Sequence, residues 1–240
     1  MMHTLFGAHV VTVSATDSMW SASLYPEERC FVRHAVPKRQ RDFTAGRACT
    51  REALKRLGIE DFAVRMGRTG EPLWPSGVVG SISHSTGFCG VAVSRRGTTL
   101  ALGFDVDSAE PLTPRLRTIV CSRAELEWIE RHPPPSYSDW TKIIFSAKES
   151  VYKCYFALTG TRLNFHQVEI RFAPAQRQFV AELLTDSSDR GRRAYALHGR
   201  YAYSPAHIFT GVEATRAAST SMRDKLRACL AARRQSSWPV

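Results

Sequence analysis

Apolar residues recur at helical spacing between Trp140 and Leu158. They fall at positions 140, 143, 144, 147, 151, 155 and 158, close to the period of an α-helix. This pattern predicts a long helix with one packing face. A second long helix is predicted from Lys38 to Leu57, because Pro37 precedes it and Gly58 follows it.

Two shorter helices are also predicted. One begins after Pro26, and the other begins at Ser122, where Ser-Arg-Ala-Glu forms a capping box, and runs to about Arg131. The stretch between Asp107 and Ser122 contains Pro111 and Pro114 and is predicted as a loop.

Short apolar or alternating runs predict the strands. They cover residues 9–14, 78–84, 88–94, 99–107, 168–172, 179–184, 195–203 and 208–213. The element order is helices at 27–57 with strands at 62–106, then helices at 122–158 with strands at 166–213. It predicts an α+β fold with two similar halves and antiparallel sheets. The predicted units are 1–98, 99–215 and a basic tail at 216–240, in which residues 222–233 form a short basic helix or remain a tail.

Composition narrows the class of protein. The 240 residues include 43% hydrophobic and 23% charged residues, enough for one large domain or two small ones. The net charge of +11 favours an anionic partner: nucleic acid, a membrane surface, a phosphate-rich ligand or an acidic protein. Six cysteines without a CxxC motif, no apparent leader sequence and no run of 18 apolar residues predict a cytoplasmic protein with reduced cysteines and no membrane span.

Carboxylates gather at two points of the sequence. Asp105 and Asp107 end a buried strand, and residues two apart on a strand face the same side. Glu149 lies in the long helix, one turn before Lys153. An isolated Glu–Lys pair is usually a surface ion pair. Two aspartates and a glutamate, however, form an oxygen-ligand set for a hard cation such as Mg²⁺.

Basic residues mark a second candidate site at the start of the helix from Lys38. Arg39, Arg47 and Arg51 fall loosely on one side of it, as a solvated face or as a phosphate-binding face. The glycines of the loop from Gly67 to Pro72 either form turns or let the backbone approach an anion. The strand at 78–84 ends in Ser83-His84, which is either structural or placed for anion contact.

Three stretches follow one another in a specific order. They are Gly80-Ser-Ile-Ser-His84, Gly103-Phe-Asp-Val-Asp107 and Phe145-Ser-Ala-Lys-Glu-Ser-Val-Tyr-Lys153. Together with Phe43-Thr-Ala-Gly-Arg47 and Gly70-Glu-Pro-Leu-Trp-Pro75, they closely resemble the signature of the Sfp/EntD-type 4′-phosphopantetheinyl transferases, especially the enterobactin-synthase-like branch. The resemblance covers roughly residues 26–213.

The resemblance implies an enzyme with its active site between two pseudo-twofold-related halves. It would transfer the phosphopantetheine arm of coenzyme A to a serine of an apo acyl or peptidyl carrier protein and release adenosine 3′,5′-bisphosphate. The family's Mg²⁺ ligands match Asp105, Asp107 and Glu149. Its contacts to coenzyme A match Arg39, Arg47, Gly67, Arg68, Ser83, His84, Asp105 and Lys153.

The resemblance also implies catalytic roles on the long helix. Glu149 is the candidate base for the carrier serine, Lys153 meets the pyrophosphate, and Lys148 is a candidate for assisting proton transfer. The family often has Glu where this chain has Asp107, which is one methylene shorter, so coordination through a water is an open alternative. The expected partners are coenzyme A and an acidic carrier, with no nucleic acid or membrane, and the protein is expected to be a monomer.

Two other classes fit part of the pattern. A nucleic-acid-binding module would suit the net charge, but the arginines do not interleave with exposed aromatic residues, and the acidic residues would repel phosphate without a metal. A metal-dependent phosphohydrolase would also use carboxylates, Lys and His. The residues do not indicate which pathway is served: siderophore, polyketide, nonribosomal peptide or fatty-acid synthesis.

Overall fold

The protein consists of two halves, each with a long helix packed on an antiparallel sheet. The structure is a computed structural model that describes residues 1–136, 138–184 and 193–216. The helices are α1 (Pro26–Arg29), α2 (Pro37–Arg56), α3 (Pro114–Val120), α4 (Arg123–Glu130) and α5 (Trp140–Thr159). The strands are β1 (Val11–Ser14), β2 (Val78–Ser85), β3 (Phe88–Arg95), β4 (Thr99–Ser108), β5 (Val168–Ala173), β6 (Gln178–Leu184), β7 (Arg193–Tyr203) and β8 (His207–Thr215). The predicted helix or tail at 222–233 lies outside the described residues.

The ends of the helices follow local sequence chemistry. At the start of α5 the Asp139 side chain accepts a hydrogen bond from the Lys142 backbone N–H at 2.8 Å. The helix ends at Gly160, which has a φ of 68° and can adopt this left-handed conformation because it has no Cβ. Residues 114–120 were wrongly predicted as loop. Pro114 opens α3 there, since proline is tolerated in the first helical turn.

The strands form two antiparallel sheets, as the fold-class prediction required. The first has the order β1-β3-β2, and the second has the order β4-β8-β7-β6-β5. The predicted grouping of strands at 62–106 was wrong in two respects. Residues 62–77 contribute only an isolated bridge between Met66 and Pro72, and β4 pairs with β8 in the second sheet.

Each long helix packs on one sheet. α2 contributes Cys49, Ala53 and Leu54 to a core that includes Val91 and Val93 of β3. The larger core joins α5 to β4 and β8 through side chains that are fully buried, among them Ile143, Ile144 and Ile208. Burial of each such aliphatic side chain contributes roughly 1.5–3 kcal/mol, so these two cores hold each helix against its sheet.

The described cysteines are free thiols. Cys49, Cys89, Cys121 and Cys154 are buried, as expected for reduced core residues, whereas Cys30 is exposed. Within the described residues, no helix is both long and apolar enough to cross a membrane.

Candidate functional site

The two sheets meet along β2 and β4, and serine side chains join these two strands. Ser81 accepts a hydrogen bond from the Phe104 N–H at 3.0 Å, and Ser83 accepts one from the Val106 N–H at 3.2 Å. The Ser85 hydroxyl lies 3.5 Å from Asp107 Oδ1. Because alternate residues of a strand share a face, the serines at 81, 83 and 85 all point towards β4. The junction therefore brings the end of β2 to the two aspartates of β4.

Asp105 is held at this junction by three side chains. Ser83 and Lys153 donate to its Oδ1 at 2.9 and 2.8 Å, and Ser146 donates to its Oδ2 at 2.8 Å. Ser146 is itself bonded to Thr210 of β8, and both are fully buried. Lys153 also donates to Ser83 and to the Phe104 carbonyl. These contacts fix the carboxylate between β2, α5 and β8.

Asp107 has a different set of partners. Its Oδ2 lies 2.5 Å from the Lys142 Nζ, and its Oδ1 accepts a hydrogen bond from the Ser108 N–H at 2.7 Å. Lys142 is nearly buried, with 9% of its side chain exposed, and its ammonium lies 5.5 Å from the centre of the Phe145 ring. Asp107 is thus paired with a cation from the first turn of α5.

Glu149 is the unpaired carboxylate of the site. It forms no hydrogen bond or ion pair within the part of the chain that the structure describes. Burial raises the pKa of its carboxyl group, the nearby charges of Asp105 and Asp107 raise it further, and Lys153 opposes them. Three carboxylates therefore lie close enough to repel one another.

One stripe of α5 supplies the side chains that face β4. Lys142, Ser146, Glu149 and Lys153 are separated by four, three and four residues, which places them along one helix face. Gly103 lets this face come close, because a Cβ there would lie 1.8 Å from the Ser150 carbonyl oxygen. The sequence analysis missed Lys142 and Ser146. Their signal was this helical spacing from Glu149.

The chemistry of these residues suits a hard divalent cation. All three acids offer oxygen atoms, and Glu149 is a partly buried carboxylate without an ion-pair partner among the described residues. The arrangement itself is not a closed metal cage. Across residues 1–136, 138–184 and 193–216, no three His, Cys, Asp or Glu side chains are positioned to hold one ion. Lys142 and Lys153 instead supply the positive charge at the two aspartates.

Lys148 is not placed with these groups. Its ammonium donates to Glu125 Oε2 at 2.8 Å, to the Val120 carbonyl at 2.8 Å and to the Phe165 carbonyl at 3.0 Å. These acceptors use all three of its N–H bonds, and both charged side chains are almost fully buried. Its proposed part in proton transfer stays a prediction, whereas the geometry favours a structural role in joining α5 to α3 and α4.

The start of α2 meets the end of β2 beside the junction. Arg39 Nη1 lies 3.3 Å from His84 Nε2, and His84 Nδ1 lies 3.6 Å from Asp42 Oδ2. Burial lowers the pKa of His84; Asp42 opposes that shift, while Arg39, Lys153 and Lys38 add to it. The structure therefore brings together two of the residues predicted to contact coenzyme A, Arg39 and His84.

Arg47 lies in the interior of the first half. Its guanidinium sits over the Phe43 ring, 4.2 Å from the centroid, and its Nε is 4.0 Å from Glu28 Oε1. That Nε is buried without a hydrogen-bond partner in the structure. Burial lowers the pKa of Arg47 to about 10, and Glu28 opposes the shift. An unpaired, buried guanidinium N–H is a reason to expect a further acceptor there.

The loop at Gly67 and Arg68 is folded around a carboxylate. The Thr69 N–H donates to Glu71 Oε2 at 3.0 Å, and the glutamate side chain lies directly against Gly67. The Thr69 hydroxyl also donates to Glu71 Oε2, and this hydrogen bond lowers the pKa of Glu71. Arg68 is exposed. The loop backbone thus contacts a carboxylate through Thr69, and that carboxylate belongs to the protein itself. Contact of Gly67 and Arg68 with coenzyme A stays a prediction.

A pocket of about 340 Å³ opens next to Glu149. Its walls come from α5 and from the segment that follows it, and they mix apolar and polar groups. The lining includes Tyr152, Leu163, Phe165, Asn164 and Arg162. The unpaired carboxylate therefore adjoins a space large enough for part of a small molecule.

The fold and site define an α+β protein in which carboxylates and lysines gather at the junction of two sheets. Residues 27–94 match the family model described as the 4′-phosphopantetheinyl transferase N-terminal domain. Residues 101–206 match the 4′-phosphopantetheinyl transferase superfamily.

Named relatives agree with these matches. The chain is 38% identical to 4′-phosphopantetheinyl transferase Svp of Streptomyces mobaraensis over 89% of this chain and 87% of the relative. It is 32% identical to 4′-phosphopantetheinyl transferase PptT of Mycobacterium tuberculosis, over 85% and 96% respectively. It is 27% identical to enterobactin synthase component D of Salmonella typhi, over 79% and 84%. The chain belongs to the 4′-phosphopantetheinyl transferase superfamily and is a transferase enzyme.

Proposed function

We propose that the enzyme transfers the 4′-phosphopantetheine arm of coenzyme A to a serine of an apo carrier protein. In this reaction the serine oxygen attacks the phosphorus next to pantetheine, the diphosphate bond breaks, and adenosine 3′,5′-bisphosphate leaves. The observation that carries the proposal is the unpaired, partly buried Glu149, which lies beside Asp105 and Asp107 at the sheet junction and opens onto a pocket.

Glu149 is proposed as the base that takes the serine proton. Burial and two neighbouring aspartates make its carboxyl group more basic than an ordinary glutamate, which suits this task. Lys153 is partly exposed, with 27% of its side chain accessible, so its ammonium can reach a diphosphate oxygen while it remains near Asp105. Asp105, Glu149 and, directly or through a water, Asp107 would hold Mg²⁺, which would offset charge on the diphosphate.

The coenzyme's 3′-phosphate and adenine end is assigned to the first half. Arg39 and His84 are adjacent and accessible, the buried Nε–H of Arg47 has no hydrogen-bond partner among the described residues, and the loop at Gly67 and Arg68 lies in the same half. Ser83 was also predicted to contact the coenzyme. Its hydroxyl already donates to Asp105 and accepts from Val106 and Lys153, so we assign it to positioning the carboxylate.

The pocket next to Glu149 is proposed to hold the pantetheine arm. That arm is long and amphiphilic, and the lining offers both aromatic rings and an amide. An arm that lies there would bring its phosphate next to the α5 stripe.

The surface of α3 is proposed to contact the carrier. Leu116 and Ile119 are each 45% exposed, and Arg115 and Arg123 lie near them in sequence and are exposed. The Val120 carbonyl at the end of α3 accepts a hydrogen bond from Lys148, which lines the pocket beside Glu149, so this surface lies near that pocket. Exposed apolar residues among arginines suit an acidic, amphipathic helix. The relatives named enterobactin synthase component D support siderophore synthesis as one pathway to test.

Intact-protein mass spectrometry tests the proposal. The enzyme is incubated with coenzyme A, Mg²⁺ and a panel of apo carrier proteins. We expect a mass gain of one phosphopantetheine on at least one carrier, lost when the carrier serine is replaced by alanine. Hydrolysis of coenzyme A without modification of any carrier would instead support the phosphohydrolase alternative.

A further inference from the structure

Lys142 is a cation that the sequence analysis did not assign. Its Nζ lies 2.5 Å from Asp107 Oδ2, and only 9% of its side chain is exposed, compared with 25% for Asp107. The other oxygen of Asp107 accepts a hydrogen bond from the Ser108 backbone N–H. Both oxygens of this carboxylate therefore have a strong donor, one of them charged.

The lysine paired with Asp105 can separate from its carboxylate more easily than the lysine paired with Asp107. Lys153, which pairs with Asp105, is 27% exposed, so its ammonium can turn towards an anionic ligand without losing solvation. The Oδ2 of Asp105 accepts from a neutral hydroxyl, that of Ser146, and retains a lone pair. Lys142, in contrast, is nearly buried against Phe145. Its separation from Asp107 would leave an ammonium without a partner in a poorly solvated place, which is strongly unfavourable.

We propose that Lys142 is a positioning residue that keeps Asp107 out of direct contact with the metal. Asp105 and Glu149 are then the direct ligands, and Asp107 reaches the ion only through water or through the charge of the pair. This inference rests on the proposed function, because it assumes a divalent cation at the site. It also explains why an aspartate can replace the family's longer glutamate at position 107, because the carboxylate there contacts Lys142 and does not need to reach the metal.

The test measures binding of Mn²⁺ as a probe ion, in the presence of coenzyme A, from the loss of the free-ion electron paramagnetic resonance signal. Asp107→Asn is made in the wild-type background and in a Lys142→Met background. We expect Asp107→Asn to change the Mn²⁺ dissociation constant less than about threefold in the wild type. In Lys142→Met, where Asp107 is released to bind the ion, the same change should weaken binding about tenfold or more.

Three further variants separate contact from general electrostatics. Lys142→Met should itself tighten Mn²⁺ binding about tenfold, and Lys142→Arg, which keeps the charge, should not. Arg56→Met removes one positive charge from an exposed pair with Glu52 and is the matched control. We expect it to change Mn²⁺ affinity less than about twofold, since exposed charges are screened. Circular dichroism shows whether each variant is folded. The Lys142→Met/Asp107→Asn double variant removes both members of the ion pair, so it leaves no unpaired charge at this position.

The outcomes distinguish this inference from the function on which it rests. If Asp107→Asn weakens Mn²⁺ binding about tenfold or more in both backgrounds, Asp107 is a direct ligand whatever Lys142 does. If it changes binding less than about threefold in both, Lys142 is not what keeps Asp107 from the ion, and either result overturns the inference. The proposed metal site would still stand in that case if Asp105→Asn and Glu149→Gln each weaken Mn²⁺ binding. Absence of Mn²⁺ binding in the wild type and in every variant would overturn both proposals.

Discussion

The two long helices, α2 and α5, have the same length of 20 residues, and each packs on an antiparallel sheet, yet they present their charges differently. On α5 three of the four charged residues form one stripe that faces the acids of β4, and two of them, Lys142 and Lys153, pair with those acids. On α2 the arginines are dispersed: Arg39 is exposed beside His84, and Arg47 is buried beside Glu28. The fixed contacts on α5 support the proposal that this helix carries the chemistry, and the dispersed arginines support the proposal that α2 contributes to ligand affinity.

The largest effect is expected at the unpaired member of the α5 stripe. Glu149→Gln keeps the size of the side chain but removes its charge and basicity, so transfer should slow at least ~10²-fold while coenzyme A still binds. Single-turnover transfer to an apo carrier, beside calorimetry of coenzyme A binding, measures the two effects separately.

The exposed Glu130, in α4, provides the control, since Glu130→Gln should leave both values unchanged. Near-normal transfer with normal binding in Glu149→Gln would place the base elsewhere. Loss of binding would make the residue mainly a metal ligand and leave its role as base unproven.

A second experiment compares the two kinds of arginine on α2. Arg47→Ala removes the cation beside the buried Glu28 and should lower the free energy of unfolding by roughly 3 kcal/mol. Glu28 keeps hydrogen bonds from the Tyr25 and Val64 backbone, which limits the loss. Urea unfolding measures it. Arg39→Ala, at an exposed position, should change stability by less than about 0.5 kcal/mol.

Coenzyme binding then shows whether these arginines contact the 3′-phosphate. Both variants should weaken coenzyme A more than dephospho-coenzyme A. Equal losses for the two ligands would mean that neither arginine contacts that phosphate, and α2 would lose its proposed role in affinity.

A third experiment tests the close contact that places the α5 stripe over β4. In Gly103→Ala the new methyl group would overlap the Ser150 carbonyl, so helix and strand must separate. We expect a loss of about 1–3 kcal/mol in the free energy of unfolding, as for other overpacked sites. Gly97→Ala is the matched control in the turn before β4, because a Cβ there meets nothing within 4 Å. If the two variants unfold at the same urea concentration, the contact at Gly103 is not needed.

The local pattern of apolar and polar residues was enough to predict much of the fold and part of the site. The period of α5 and the apolar run of β4 each follow from neighbouring residues, so both elements were predicted correctly. Asp105 and Asp107 could be grouped because alternate residues of a strand share a face. Glu149 was joined to them because three carboxylates form an oxygen-ligand set and because all three match the family's metal ligands. The serines at alternate positions of β2 carried the same kind of signal.

The rest depended on long-range contacts that spacing does not encode. Lys142 and Lys148 lie six residues apart on one helix, yet one pairs with Asp107 and the other with Glu125 of α4. Nor does the sequence show that Arg47 is buried whereas Arg39 is exposed, since both are arginines in a basic helix. Helix α3 was missed because Pro111 and Pro114 together favour a loop, although Pro114 begins the helix.

The smallest effect concerns pH at the α2 end of the site. Burial lowers the pKa of His84 from its ordinary value of 6.5, so the free protein holds a neutral ring at pH 7. A phosphate beside the ring would favour the imidazolium and raise that pKa in the complex. Binding then takes up a proton between the two pKa values, and coenzyme A affinity should increase as pH falls through this window. The gain is at most about tenfold for each unit between the two pKa values.

Dephospho-coenzyme A and His84→Gln should both lack this pH dependence, which calorimetry at several pH values can show. In the free protein, the free energy of unfolding should change with pH in the opposite direction to coenzyme A affinity. Because the folded-state pKa lies below the ordinary value, the unfolded chain binds more protons in acid, and stability contributed at this site falls as pH drops below 6.5. The urea midpoint of His84→Gln should fall less over the same range. If affinity for coenzyme A is flat with pH in the wild type, His84 does not contact the phosphate, and the affinity assigned to α2 rests on its arginines alone.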